Sequence, residues 1–247
     1  MTTWVLLRGL IRESRHWGGF LETARAHWPE ARIVTVDWPG NGALHAQESL
    51  VRIEDMVAHV RDTLQQQGET GPFHVLAISL GAMVAVAWAD AWPAEIAACV
   101  LVNTSLRPFS PFYHRLRPRN YATLLAMPAR NALAQEQAIL RITTQTSPTA
   151  VLEDWLPYRQ QYPVGWRNAI RQIRAAATYR APRQKPAVPM LLLCGGQDQL
   201  VDPRCSTTLA QAWQAPCVVH PTAGHDLSLD DGAWVLGEIS CWMAGAA

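Results

Sequence analysis

Phe73-His74-Val75-Leu76-Ala77-Ile78-Ser79-Leu80-Gly81-Ala82-Met83-Val84-Ala85-Val86-Ala87-Trp88-Ala89 reads as a strand that passes, through one serine, into a helix. Residues 73–78 form a short, nearly continuous apolar run, the pattern of a strand buried on both faces. From Leu80 the chain turns alanine-rich, and a helix from there to Ala91 stops near Pro93. Ser79 stands at the junction. A serine on so sharp a turn lifts its hydroxyl above the sheet edge and holds its backbone in a strained region. Small residues at Ala77 and Gly81 suit that turn, because the helix doubles back closely onto the strand. The same junction can also be a plain helix cap, so the motif must be weighed against the rest of the chain.

Working outward, the strand-helix rhythm repeats. Trp4 to Leu7, Arg32 to Val36 and Ile96 to Val102 read as further strands, with helices at about Gly19 to His27 and Ile53 to Gln67. It resumes with strands at Met190 to Cys194 and Cys217 to His220, and helices near Thr207 to Trp213 and Trp234 to Trp242. Buried strands separated by helices predict a doubly wound, mostly parallel α/β sheet. Between Ser105 and Lys185 no strong strand run occurs. That segment carries many prolines and helical stretches such as Asn168 to Ala177. The expected organisation is one α/β core, residues 1–104 and 186–247, interrupted by a helical insertion, residues 105–185.

A serine hydroxyl needs a base beside it and an acid to orient that base. Gly195-Gly196-Gln197-Asp198 follows one predicted strand and Ala223-Gly224-His225-Asp226 follows another. Asp198 and His225 therefore join Ser79 at the carboxyl edge of a parallel sheet, where such sheets bind ligands. Asp202 and His220 are their nearest rivals, one deeper in a loop and the other at a strand end. The Leu80 N–H, at a helix amino terminus, is a ready donor to an oxyanion.

Ala77-Ile78-Ser79-Leu80-Gly81, with the order Ser, Asp, His, resembles the nucleophile elbow and triad of the α/β-hydrolase superfamily, with Ala77 in place of the first glycine. The likeness extends over about Thr3 to Asn103 and Pro189 to Trp242. Asp37-Trp38-Pro39-Gly40-Asn41-Gly42 resembles a structural turn of that family. The resemblance implies a reduced core with a helical cap at the insertion, and the Leu10 N–H as second oxyanion donor. It also marks Arg8 as a departure, since relatives usually carry His there. The implied activity is cleavage of a carboxylic ester through an acyl-enzyme. Cleavage of a thioester or an ester on a CoA- or acyl-carrier-protein-linked substrate is the alternative, and a noncatalytic binding protein of the same fold is a further one.

The net charge of +1 conceals an asymmetry. Residues 105–185 hold 13 cations against 3 acids, a net of +10, and the remainder carries 8 arginines against 17 acids, a net of −9. Arg115 and other insertion arginines are therefore candidate contacts for an anionic substrate or carrier, with Phe109, Phe112, Tyr113 and Trp166 as apolar lining and Arg8 beside them. Five scattered cysteines read as reduced thiols. No spacing suggests a metal site, and neither a cofactor nor a nucleic-acid-binding module is implied. No apolar run reaches the length of a membrane span and no secretory signal is visible, so a soluble cytoplasmic protein is expected.

Overall fold

The computed structural model describes residues 2–146 and 148–245, those at 148–150 by backbone alone. Six strands form one sheet: β1 (Thr3–Leu7), β2 (Arg32–Val36), β3 (Phe73–Ile78), β4 (Ile96–Val102), β5 (Met190–Gly195) and β6 (Cys217–His220). Their order is β2-β1-β3-β4-β5-β6, and every pairing is parallel. The sheet thus has the expected doubly wound architecture, and β2, β3, β4 and β6 keep the bounds read from sequence.

Side chains alternate across each strand, so the sheet feeds two cores. Val5, Leu7, Val75, Ala77, Cys99 and Leu101 point to one face. There they meet α2 (after α1, Phe20–His27), which spans Ile53–Gln66, and α3 (Leu80–Ala91). Trp4, Leu6, Leu76, Ile78, Val100 and Val102 point to the other face, which is covered by α1 and the carboxyl-terminal helix.

Between β4 and β5 run α4 (Phe112–Arg115), α5 (Tyr121–Leu125), α6 (Ala132–Thr143), α7 (Pro148–Gln161) and α8 (Trp166–Thr178), with no strand among the described residues. Leu140, Val151 and Trp155 make a small apolar cluster of their own, against which Leu229 packs. The chain closes with α9 (Arg204–Trp213), α10 (Leu227–Asp230) and α11 (Gly232–Gly245). Sequence periodicity showed neither α10, a single turn, nor separate helices α6 and α7. Among the described residues no helix is long and apolar enough to cross a membrane.

Candidate active site

Strand β3 delivers Ser79 to the carboxyl edge of the sheet. The residue adopts φ 55°, ψ −110°, and its N–H bonds the Val102 carbonyl at 2.9 Å. Such a backbone is strained by about 1–3 kcal/mol in a non-glycine residue and persists only where surrounding structure enforces it. Gly81 supplies that enforcement. A Cβ there would stand 2.5 Å from the Leu7 carbonyl oxygen and 2.8 Å from that of Arg8, so α3 can start against β1 only if residue 81 has no side chain. Gly9, in the loop after β1, lies against the serine: a Cβ on it would be 3.2 Å from Ser79 Cβ.

Asp198 and His225 meet. His225 Nδ1 lies 2.6 Å from Asp198 Oδ2, with both side chains buried. The other carboxylate oxygen of Asp198 accepts the N–H groups of Leu200 and Val201 at 2.8 and 2.9 Å, which sets its plane. The two loops are laced together by backbone bonds from Gly196 to His220 and from Gln197 to Ala223. Gly195 permits that approach, since a Cβ would fall 2.1 Å from the Gly224 carbonyl oxygen. No hydrogen bond joins Ser79 Oγ to His225 among the described residues.

Asn103, at the end of β4 with φ 47°, was not singled out by sequence. Its buried amide donates to the Gly224 and His225 carbonyls at 3.1 and 2.7 Å and accepts from Gly195 N–H at 2.8 Å. One side chain thereby clasps the ends of β4 and β5 and the histidine loop. Asp230 is a second missed hub. Its carboxylate takes the Gly224 N–H at 2.6 Å together with the Gln145 and Thr146 N–H groups, fastening the helical segment to the histidine loop.

The loop after β1 carries the amide expected to face an oxyanion. Leu10 N–H donates no hydrogen bond among the described residues, whereas its neighbour Ile11, at φ 61°, donates to Gln172 Oε1 of α8 at 2.9 Å. Gln172 is fully buried and also bonds Asn41 and Ser49. Leu80 N–H opens α3, where no residue of the helix can accept it.

Arg8, expected near substrate, is instead committed inside the chain. Only 3% exposed, it forks onto Asp226 at 3.1 and 2.5 Å, and its guanidinium lies over the Trp17 ring at 4.8 Å. Burial pushes the Asp226 carboxyl up, but the charge and hydrogen bonds of Arg8 prevail and hold it below the usual carboxylate range. Two charges withdrawn from water must pair, and this carboxylate is Arg8's ion-pair partner. Further along the same loop Arg12 pairs with buried Glu136 of α6 at 2.5 Å, which Arg159 of α7 also contacts at 3.3 Å.

The remaining candidates are dispersed. Phe109 packs edge-on against Trp213 at 5.5 Å, and Arg115 donates to the Ala176 carbonyl at 2.6 Å. Phe112, Tyr113 and Trp166 are exposed. The rivals to the central pair have other partners. Asp202 forks onto Arg204, whose hydrogen bond draws its carboxyl down to about 2, and His220 contacts Asp231 at 3.3 Å and accepts the Ala223 N–H.

Ser79, strained at the carboxyl end of the central strand β3, thus shares its sheet edge with a buried Asp-His pair on the loops after β5 and β6. The model of the alpha/beta hydrolase family matches residues 4–238. The chain belongs to this family. A comparison with curated proteins finds no significant match. Among solved structures, this alpha/beta hydrolase is similar to the enol-lactonase from Burkholderia xenovorans LB400, at 18% identity and a TM-score of 0.78, covering 98% of this chain and 91% of that one. A thermophilic esterase from Thermogutta terrifontis matches at 19% identity and a TM-score of 0.75, covering 99% and 90%. BorB, a type II thioesterase from the borrelidin biosynthetic cluster, matches at 18% identity and a TM-score of 0.67, covering 97% and 91%. At such identities the likeness is one of fold.

Proposed function

We propose that this alpha/beta hydrolase cleaves a carboxylic ester through an acyl-enzyme, with Ser79 as nucleophile, His225 as general base and Asp198 as its orienting acid. The observation that carries the reading is the 2.6 Å bond between His225 Nδ1 and Asp198, on loops that share a sheet edge with the strained Ser79. That bond places the proton on Nδ1 and leaves Nε2 as the basic nitrogen. Substrate binding brings Ser79 Oγ within reach of Nε2, as catalytic hydrogen bonds often tighten only in the bound complex. His225 takes the hydroxyl proton as Oγ adds to the carbonyl carbon. The Leu10 and Leu80 N–H groups face the developing oxyanion. His225 then gives its proton to the departing alcohol, and water activated by the same nitrogen releases the acid.

In this reading the helical segment 105–185 is the cap that shapes the acyl pocket. Its net of +10 favours anionic substrates, so thioesters of CoA or an acyl-carrier protein are the second reading. Replacing Ser79 with Ala is expected to lower kcat on p-nitrophenyl esters by about 10⁶-fold, down to the residual turnover that binding and oxyanion donors supply. Covalent labelling of Ser79 by a fluorophosphonate should disappear in parallel. Near-full turnover in that variant would exclude the assignment. Parallel assays on acyl-CoA and p-nitrophenyl esters of matched chain length separate the two substrate classes.

A further inference from the structure

The two loops that this reading needs in register are joined by one buried ion pair. Arg8 starts the loop whose third residue, Leu10, offers its N–H, and Asp226 directly follows His225. The two terminal nitrogens of the fork are held by several neighbours, while Arg8 Nε is buried without a hydrogen-bond partner among the described residues. Ser228 Oγ bonds Arg8 Nη1 at 3.3 Å and Asp226 Oδ1 at 2.9 Å, the Trp17 ring covers one guanidinium face, and Trp38 Nε1 donates to the Arg8 carbonyl at 3.3 Å. Asp226 N–H donates to the Thr143 carbonyl at 2.6 Å. On the far side of Leu10, Ile11 is tied to Gln172, so the free amide is bracketed by two fixed points.

A buried pair of this kind is a poor way to gain stability, since apolar side chains of similar volume usually do as well. What it supplies is geometry. A planar guanidinium with two parallel bonds fixes distance and angle together, which an ammonium cannot do.

We propose that Arg8 is a positioning residue whose fork on Asp226 holds the Leu10 N–H and His225 at one fixed separation, so that oxyanion donor and base address the same acyl carbon. The proposal rests on the serine-hydrolase reading and adds to it the role of the arginine that stands in the Arg8-Gly9 turn.

Two variants test it, Arg8→Lys and the double variant Arg8→Met/Asp226→Leu. Three readouts are taken on each: melting temperature, rate of fluorophosphonate labelling at Ser79, and kcat and KM on p-nitrophenyl acetate. The lysine variant keeps the charge and loses the fork. Its kcat and labelling rate are expected to fall about 100-fold, the effect of displacing a catalytic group by about 1 Å. KM should stay within about threefold, because ground-state binding is not what the pair controls. The apolar double variant should melt near the wild type yet show the same loss of kcat. A purely structural pair predicts the opposite, full kcat once stability is restored, and that result overturns the proposal. So does an Arg8→Lys enzyme with wild-type kcat and labelling, which decides the matter even if the double variant does not fold. Absence of labelling and turnover in the wild type would remove the serine-hydrolase reading and this proposal together, an outcome distinct from the other two.

Discussion

Asn103 donates its side-chain amide to the main-chain carbonyl of His225 at 2.7 Å, tying the end of one central strand to the loop of the candidate base. The same side chain serves Gly224 and Gly195, so three buried backbone groups depend on it. Replacing it with Ala orphans all three, each worth about 1–3 kcal/mol when left unsatisfied. Asn103→Ala is expected to cost about 2–4 kcal/mol in urea denaturation after partial relaxation and rehydration of the freed groups. Its kcat should fall as well, because the His225 loop is released. Unchanged stability would show that water replaces the amide without penalty.

Asp198→Asn keeps the shape of the acid and removes its charge. The amide can offer its NH₂ to His225 Nδ1, which favours the tautomer protonated on Nε2, the wrong one for a base. A loss of kcat of about 10⁴-fold is expected, by analogy with the same change in a well-characterised serine protease. The fluorophosphonate labelling rate should fall with it. Near-normal turnover would mean that His225 is oriented by some other group.

Gly81→Ala places a methyl carbon 2.5 Å from the Leu7 carbonyl oxygen, and backbone cannot swing aside as a flexible side chain would. The helix must retreat from β1. Overpacking of this order is expected to cost about 1–3 kcal/mol. Because Leu80 N–H and Ser79 ride on the same turn, activity should fall further than stability alone explains. A variant with both properties intact would show that the turn relaxes freely.

His16 gives a pH dependence. It is buried, and burial first, then the Arg12 and Arg8 charges, hold its pKa well below the ordinary value. His74 is shifted the same way by burial. The unfolded chain therefore gains a proton near about pH 6.5 that the folded chain refuses. Stability contributed by neutral His16 is complete above that point and declines as pH falls below it, by up to about 1.4 kcal/mol per pH unit for one proton. Melting temperatures measured between about pH 7.5 and 5 should fall in the wild type and fall less in His16→Asn. The asparagine can still accept the Glu13 N–H that His16 Nδ1 takes at 3.1 Å. Parallel slopes in the two proteins would assign the loss elsewhere.

Much of the architecture is legible before folding is considered. The apolar run Phe73–Ile78 and the small residues around Ser79 carry their meaning locally, since burial on both faces and a tight turn each impose a residue type on each position. Asp198 and His225 could be placed because each follows a strand by a few residues. The helical segment was harder. Its helices pack on one another and on loops, so α6 and α7 show no clean stripe, and the exposed Phe112, Tyr113 and Trp166 look from sequence like lining residues.

The sequence by itself determined the sheet, the turn at Ser79 and the order of the three candidate catalytic residues, because strand periodicity and turn chemistry are properties of neighbours along the chain. Only the tertiary structure decided what holds those residues in place. Arg8 finds Asp226 across 218 positions, Gln172 finds Ile11 across 161, and Asn103 finds His225 across 122. No local pattern distinguishes these polar residues from solvated ones. Their roles arise when packing withdraws them from water and each must be satisfied by whatever group the fold has brought alongside.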